Sequence, residues 1–277
     1  MHLKTYRHLW GVTDPLPEAF AHFAAQGYSG IEVFPKMIGD LNLLRNLVDQ
    51  HHFEVIVQVL TGVGATVPTP EAHLEALKAQ VRDSLFFHPV LFNVQGGLDC
   101  WSESEQDRFY EAALEFAATL DVPVVFETHR GQPTFTPWTT ARILRTFPDL
   151  RLTCDFSHWV NVCERLLEDQ EDHIRLAARH CIHIHARVGY EEGPQVTDPR
   201  APDWERHLLA HERWWNWVWD ARREQGAKWV TLTPEFGPPN HQHTLPYSQE
   251  PVGDLQEMCD WMAHRQRERL SALLQSK

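Results

Sequence analysis

The stretch RLTCDFSHW, residues Arg151–Trp159, combines a short apolar strand with polar residues at its end. Leu152 and Cys154 are the apolar positions of this strand, and Asp155 and His158 follow where the strand should run into a loop. A carboxylate and an imidazole three residues apart can meet at one hydrated site when a strand gives way to a turn. The stretch therefore predicts a strand that ends at a functional site.

Three further predicted strands end in a comparable residue. Glu127 lies in VVFETHRG, His185 in IHIHARV and Glu235 in VTLTPEFG. With Asp155 they provide two Glu, one Asp and one His, an oxygen-rich ligand set with a single nitrogen. Such a set suits Mn²⁺, Mg²⁺ or Co²⁺ better than structural zinc, which favours thiolate and imidazole ligands. We therefore expect a divalent cation, with Mn²⁺ as the first candidate and Zn²⁺ as a further one.

Strand-like and helix-like runs alternate eight times along the chain, and most of the strand-like runs are apolar and β-branched, as in strands buried on both faces. The predicted strands are Arg7–Val12, Gly30–Pro35, Glu54–Leu60, Val90–Gln95, Val122–Thr128, Arg151–Phe156, Cys181–Val188 and Lys228–Glu235. The predicted helices are Pro15–Gln26, Leu41–His51, Thr69–Phe87, Ser102–Leu120, Pro137–Phe147, Val162–Arg179, Trp204–Gln225 and Gly253–Leu274.

Eight β/α units in 277 residues predict an α/β fold, a closed (β/α)8 TIM barrel, with residues 1–277 as a single domain. No G-x-G-x-x-G or Walker loop indicates nucleotide binding. Functional groups of such barrels lie at the C-terminal ends of the strands. Glu127, Asp155, His185 and Glu235 fall at or near the ends of predicted strands five to eight, so we expect them along one arc of the barrel mouth.

Composition narrows the class of protein and its partners. The formal charge of −13 opposes binding to the phosphate backbone of nucleic acids. No run of 18 apolar residues suggests a membrane span, and the first ten residues, MHLKTYRHLW, lack the features of a signal peptide. We expect a cytoplasmic protein that binds a small molecule. Its five cysteines are widely spaced without a C-x-x-C pair, which indicates buried reduced thiols.

Several residues near the predicted mouth are candidates for binding a substrate. His158 either donates a hydrogen bond to the substrate or caps a helix from a loop. His129 and Arg130 either contact the substrate or are ordinary loop residues. Glu32, in GIEVF, either reaches a substrate hydroxyl at the mouth or forms an ion pair inside the barrel. Trp10 either forms a wall on which a sugar ring stacks or packs under a neighbouring helix.

Strand seven carries a run of alternating polar residues. His183, His185 and Arg187 share one face because strand side chains alternate. If His185 points into the barrel, Arg187 lies just above it as a further substrate contact, and His183 lies below it as a core or supporting histidine. The loop Gly237–Tyr247, rich in Pro and His, either covers the mouth and contacts the substrate through His241, His243 or Tyr247, or carries solvated side chains, and we assign it neither role.

At these residues the sequence resembles the xylose isomerase-like TIM barrel family of sugar isomerases and epimerases, which includes D-tagatose 3-epimerase and inosose dehydratase. ETHRG, CDFSHW, HIHAR and TPEFG carry the resemblance, and the eightfold pattern extends it over nearly the whole chain. By resemblance, Glu127, Asp155, His185 and Glu235 bind one divalent cation, and His158 matches a substrate-binding histidine. The epimerases place an Arg several residues beyond the metal-binding His, whereas Arg187 follows His185 by two residues here.

The predicted function is that of a metal-dependent isomerase or epimerase acting on a sugar or sugar-like polyol through an enediolate. Glu127 and Glu235 would remove a proton and return one, with the cation stabilising the developing charge. An inosose-type dehydratase is the near alternative. A metal-dependent phosphodiesterase of the endonuclease IV kind and a non-catalytic sugar-binding barrel are the others. The resemblance also implies a homodimer or a homotetramer.

Overall fold

The eight predicted strands form a closed barrel in which each strand runs parallel to its sequence neighbours. The computed structural model describes residues 1–62 and 69–275. Within these residues the strands are β1 (His2–His8), β2 (Gly30–Val33), β3 (Glu54–Leu60), β4 (Leu91–Gln95), β5 (Val124–Glu127), β6 (Leu152–Cys154), β7 (Cys181–Ala186) and β8 (Trp229–Pro234). Parallel pairing of β1 with β8 closes the ring. The predicted (β/α)8 TIM barrel is confirmed.

Helices lie between the strands. Those in the described ranges are α1 (Leu16–Ala25), α2 (Leu41–His51), α3 (Pro70–Ser84), α4 (Glu103–Ala117), α5 (Pro137–Thr146), α6 (Phe156–Cys163), α7 (Glu171–His180), α8 (Glu205–Glu224) and α9 (Leu255–Gln275). Asp40 caps α2 by accepting a hydrogen bond from the Leu43 N–H at 2.9 Å. Ser102 and Glu105 form a capping box at the start of α4. These two caps fix where the loops before α2 and α4 end.

Side chains inside the barrel change from apolar to polar toward the mouth. A small buried cluster at the deeper end contains Tyr6, Ile56, Leu91 and Val125. Two residues further along the same strands stand His8, Gln58, Asn93 and Glu127. Because alternate residues of a strand share a face, the polar set lies above the apolar one. The polar side chains of the barrel interior therefore lie at the mouth, above an apolar layer.

The first strand lies nearer the N-terminus than its predicted range. β1 spans His2–His8, so the prediction of Arg7–Val12 is wrong beyond His8. The apolar residues that suggested a strand, Leu9 and Val12, line a cavity at the mouth instead. Polar residues such as Lys4 occupy strand positions. Pairing with the neighbouring strands, rather than apolar content, decides the position of β1.

The predicted helix Val162–Arg179 is two helices, and the predicted loop around His158 belongs to the first of them, α6. Between α6 and α7 the backbone takes positive φ angles of 50° at Glu164 and 56° at Leu167. These left-handed conformations cannot continue a right-handed helix. His158 is therefore held on a helix next to the barrel and not on a loop.

Apolar residues between the barrel and its helices form the main core, in which Trp159, Trp214, Trp215 and Trp219 are fully buried. Side chains of this size contribute much of the buried apolar area. Within the described part of the chain, no helix is both long enough and apolar enough to cross a membrane.

The five cysteines are free thiols. Cys154, Cys181 and Cys259 are buried, as predicted, whereas Cys163 is half-buried and Cys100 is exposed. The prediction of buried thiols is wrong for Cys100, which lies in a turn before α4 and not in an apolar strand or helix.

Candidate metal centre

Four side chains at the C-terminal ends of neighbouring strands meet at the barrel mouth. Glu127 ends β5, Asp155 follows β6, His185 lies near the end of β7, and Glu235 follows β8. Each offers a ligand atom within 4.8 Å of the others, and all four residues are buried. Parallel pairing sets successive strand ends side by side, so the residues predicted to bind metal are brought together.

Three ligand atoms of this cluster have no hydrogen-bond partner among the described residues. They are Oε1 of Glu127, Nδ1 of His185 and Oε2 of Glu235. Nδ1 of His185 lies 3.4 Å from the Glu127 oxygen and 3.2 Å from the Glu235 oxygen. Buried polar atoms are rarely left without a partner. Three such atoms facing one another, two oxygens and one nitrogen, fit a divalent cation.

The remaining atoms of two ligands are held from below. Oε2 of Glu127 accepts hydrogen bonds from Asn93 and Gln95, each at 3.0 Å. Nε2 of His185 lies 2.9 Å from Oε1 of Glu32. Donation from Nε2 to this carboxylate would leave Nδ1 free to face Glu127 and Glu235, which is the usual support of a metal-binding histidine.

Asp155 differs from the other three because both of its carboxylate oxygens are engaged. Oδ1 accepts hydrogen bonds from the N–H of Ser157 at 2.9 Å and from its hydroxyl at 2.5 Å, as the N-cap of α6. Oδ2 accepts from Nη2 of Arg187 at 2.6 Å and from its Nε at 3.1 Å. Any cation bound here would share Asp155 with Arg187.

Burial and the neighbouring charges shift the pKa values of His185 and Asp155. Burial alone disfavours a charged His185, but the surrounding glutamates outweigh this effect and raise its pKa well above the usual value. Burial raises the pKa of Asp155 to about 6, although Arg187 opposes the shift. A proton on His185 thus balances part of the carboxylate charge, and a divalent ion would displace it.

A cavity of about 540 Å³ opens at this mouth. Its polar wall includes Gln95, His129, Arg130, Arg187, Glu235 and His241. Its apolar wall includes Leu9, Val12, Leu16, Phe34 and Ile38. Of the four candidate ligands, Glu235 alone lines the cavity. A bound molecule would therefore meet the centre from the side of Glu235.

Trp10, His129 and Arg187, predicted as substrate contacts, do line the cavity. The indole of Trp10 packs edge-on against His241, with ring centroids 4.7 Å apart. His158 does not line it, because this residue is fully buried behind Arg187 and accepts a hydrogen bond from Nη2 of that residue at 2.6 Å. The centroid of its ring lies 3.9 Å from that of His129, which does line the cavity.

Glu32 lies one layer below the mouth. Its carboxylate is fully buried, with its two oxygens 2.9 Å from Nε2 of His185 and 3.3 Å from Nε2 of His183. The predicted contact between Glu32 and a substrate hydroxyl is not supported, because this side chain does not line the cavity. The alternative, an ion pair inside the barrel, matches the geometry.

Two residues of the site have no counterpart among the predictions, and a third, His241, is only one of several alternative contacts of its loop. Asn93 and Gln95 of β4 hold Glu127, and His241 of the loop Gly237–Tyr247 lines the cavity beside Trp10. The signal for the first two is visible in LFNVQ, where two amides alternate with apolar residues and so share the inner face. For His241 the sequence offers only its place in a His-rich loop after β8, because the course of that loop decides which of its side chains reaches the cavity.

Comparison with known proteins connects this barrel with a family. The profile described as "Xylose isomerase-like TIM barrel" matches residues 20–209. A search among curated proteins finds no match.

Solved structures share the fold at low sequence identity. The probable 3-DHS dehydratase AsbF from Bacillus anthracis superposes with a TM-score of 0.60 at 15% identity, covering 86% of this chain and 94% of that one. The 3-keto-D-glucoside 4-epimerase YcjR from E. coli gives 0.56 at 12%, covering 95% and 99%. Endonuclease IV from Thermus thermophilus gives 0.56 at 14%, covering 86% and 94%. At such identities the likeness shows the fold alone.

Proposed function

The chain belongs to the xylose isomerase-like TIM barrel family, and from that premise we propose that it is a divalent-metal-dependent isomerase or epimerase acting on a sugar or sugar-like polyol through an enediolate. One observation carries the proposal. Free ligand atoms of Glu127, His185 and Glu235 converge at the mouth of the barrel, and Glu235 is also exposed to the cavity. A cation site and a site for a small molecule thus share one residue.

Glu127, Asp155, His185 and Glu235 are the residues that would hold the ion, and their oxygen-rich set makes Mn²⁺ the expected one. Mg²⁺, Co²⁺ and Zn²⁺ are the alternatives. When bound, a divalent cation supplies Lewis-acid polarisation of a carbonyl oxygen and acidifies the adjacent C–H.

Proton transfer falls to the two glutamates, which differ in access. Glu235 lines the cavity and has an oxygen without a hydrogen-bond partner, so it is placed to take a proton from a bound molecule. Glu127 does not line the cavity, and Asn93 and Gln95 hold one of its oxygens. Interaction with His185 outweighs burial and keeps the pKa of both glutamates below the usual value, so both are ionised at neutral pH. Glu235 is the better placed base.

The other polar groups of the cavity orient the molecule. Arg187 lies 3.4 Å from Oε2 of Glu235 and is positioned to donate to an oxygen of a substrate held beside that carboxylate. Trp10 supplies a flat aromatic face next to the polar wall, on which a ring can stack. His158 acts through Arg187, whose guanidinium it contacts.

The first test is a calorimetric titration of Mn²⁺ into chelator-stripped protein. We expect one site, lost in Asp155→Asn and retained in Asp169→Asn, which alters an exposed aspartate paired with Arg165. No binding, or equal binding by the two variants, would contradict the metal centre.

The second test concerns the reaction and is a screen of ketoses and inososes for deuterium uptake from heavy water. Full activity in Glu127→Gln or Glu235→Gln would exclude the acid and base roles of these glutamates.

Dehydration needs the same proton removal, followed by loss of a hydroxyl instead of return of a proton. Formation of a conjugated enone, measured by ultraviolet absorbance, separates this outcome from isotope exchange without elimination. Metal binding without exchange on any bound sugar would favour a non-catalytic barrel.

One observation favours the phosphodiesterase alternative. Glu127, His129 and His158 form a second group whose ligand atoms lie within 4.8 Å of one another and which shares Glu127 with the first. Donation from Arg187 to Nε2 of His158 opposes a second cation there, because it places a positive charge at one of the ligand atoms. Binding of several zinc ions in preference to one manganese ion would support the phosphodiesterase.

A further inference from the structure

Arg130 stands at the wall of the cavity with an unusual set of partners. Its side chain is half-buried. Nη1 donates to Oδ1 of Asn161 at 3.3 Å, and Nη2 lies 3.2 Å from Nε2 of His241. Burial, together with Arg187 and Arg130, lowers the pKa of His241 to about 4, so this imidazole is neutral and accepts the hydrogen bond. Both partners of Arg130 are uncharged.

No carboxylate of the described residues forms an ion pair with Arg130, whereas its neighbour Arg187 contacts Asp155 and Glu235. A partly desolvated cation without a direct ion pair is unfavourable, and burial and the nearby Arg187 lower the pKa of Arg130, although Asp155 opposes the shift. A guanidinium has five N–H donors, and two contacts leave several unused. The cavity wall thus holds a cation that has spare donors and no direct ion pair among the described residues.

The orientation of the Arg130 guanidinium is set by its two hydrogen-bond partners. Asn161 and His241 hold the guanidinium from two different elements, α6 and the loop after β8, which fixes the orientation of its plane. A planar guanidinium held in this way matches the two oxygens of a carboxylate or of a phosphate.

We propose that Arg130 binds an anionic group of the substrate, a carboxylate or a phosphate, with Asn161 and His241 orienting its guanidinium. The inference rests on the proposed function, in which this cavity holds the substrate. It narrows the substrate class from neutral sugars to sugar acids, carboxylated cyclitols or sugar phosphates. Glu235 and Arg130 line the same cavity, so one molecule would present its reacting carbon to the first and its anion to the second.

The test uses three six-membered cyclic polyols, one neutral and two anionic. They are myo-inositol, which is neutral, quinate, which carries a carboxylate, and myo-inositol 1-phosphate. Binding to the Mn²⁺-loaded protein is measured by calorimetry. We expect at least one anionic probe to bind about tenfold or more tightly than myo-inositol, as a charge-assisted bidentate contact would give. The tighter of the two anions identifies carboxylate or phosphate.

Variants connect the preference to Arg130. Arg130→Gln should bind the anionic and neutral probes equally. Arg130→Lys keeps the positive charge but loses the planar pair of N–H donors, so it should retain part of the preference for the anionic probes. Arg206→Gln, at an exposed ion pair with Glu168, is the matched control and should keep all of it. Equal binding of the three probes by the unaltered protein, failure of both anions to bind, or an unchanged preference in a folded Arg130→Gln protein would overturn the proposal.

The two proposals fail separately. Suppose that Mn²⁺ does not bind, but that quinate or myo-inositol 1-phosphate still binds more tightly than myo-inositol because of Arg130. The anion site is then supported, and the metal-dependent reaction is contradicted. If Mn²⁺ binds to Arg130→Gln and to the unaltered protein alike, and neither protein prefers an anion, only the anion site falls.

Discussion

Nη2 of Arg187 lies 2.6 Å from Nε2 of His158. Because a guanidinium only donates, His158 accepts at Nε2 and carries its proton on Nδ1. Burial, with His129 and Arg187 nearby, holds the pKa of His158 well below its usual value, so the ring is neutral. The same nitrogen of Arg187 lies 2.6 Å from Oδ2 of Asp155. Arg187 therefore joins a candidate metal ligand to the histidine predicted to bind substrate.

This arrangement predicts that Arg187 is essential for the stability of the metal-free protein. Arg187→Gln would leave Asp155 buried without its partner, and breaking a buried ion pair costs about 3–5 kcal/mol. Urea unfolding in the presence of a chelator measures the loss. Mn²⁺ should restore part of it, because a cation bound only by the folded state stabilises that state.

The matched control for Arg187 is Arg206→Gln. The side chains of Arg206 and its partner Glu168 are 72% and 57% exposed, and such surface pairs contribute less than about 1 kcal/mol. Equal losses in the two variants would show that the contact between Arg187 and Asp155 contributes no more than a surface pair.

Glu32 is predicted to act on the metal through His185. Glu32→Gln would replace the charged acceptor at Nε2 of His185, and loss of such a supporting carboxylate lowers metal affinity by roughly 10–100-fold. Mn²⁺ titration measures the change. Glu54→Gln, which alters a carboxylate at the opposite end of the barrel interior, should leave the affinity unchanged. Weakened binding of a polyol with unaltered metal affinity would instead revive the substrate role that the sequence suggests for Glu32.

Metal binding is predicted to release protons. Since the glutamates raise the pKa of His185 well above its usual value, its imidazole is protonated at pH 7 before the ion binds. Affinity should then rise with pH, by about tenfold per unit for one displaced proton. Near pH 6 and below, where Asp155 of the metal-free protein also binds a proton, the slope should steepen. Calorimetry in two buffers of different ionisation enthalpy counts the protons, and a count near zero at pH 7 would contradict the charge state of His185.

The eightfold alternation and the four strand-end residues are visible in the sequence because both follow from local pattern. Strand seven shows this best, since alternation alone places His183, His185 and Arg187 on one face, and the structure stacks them in that order toward the cavity. Glu32 shows what the local pattern cannot predict. Alternation puts its side chain inside the barrel, but its depth relative to His185 depends on how far neighbouring strands are staggered, which no local pattern contains.

Contacts between side chains of different helices and strands also cannot be predicted from the sequence. Arg187 meets Asp155 from the next strand, and the register between β6 and β7 shifts after Leu152, so their heights cannot be matched by counting residues. CDFSHW looks irregular and predicts a loop at Asp155, yet its carboxylate caps α6. Leu9 and Val12 favour a strand beyond the true end of β1 because an apolar residue that lines a cavity and one that fills a core look alike in sequence.

The position of Trp10 in the cavity wall depends on the absence of a side chain at Gly237. A Cβ there would lie 2.0 Å from Cη2 of Trp10, so the indole would have to move. His241 packs against the indole, so that movement would disturb a second residue of the wall. Gly237→Ala should cost about 1–3 kcal/mol in urea unfolding, as overpacking does.

Gly39→Ala is the matched control for Gly237→Ala, because a Cβ at Gly39 meets nothing within 4 Å and its backbone is not left-handed. That change should leave stability within about 1 kcal/mol of the unaltered protein. A double-mutant cycle identifies the cause. In a Trp10→Ala background, Gly237→Ala should lose most of its cost, because the two residues would no longer compete for space. If Gly237→Ala is equally destabilising in the Trp10→Ala background, Gly237 is required for its backbone conformation and not for the space that it leaves for the indole of Trp10.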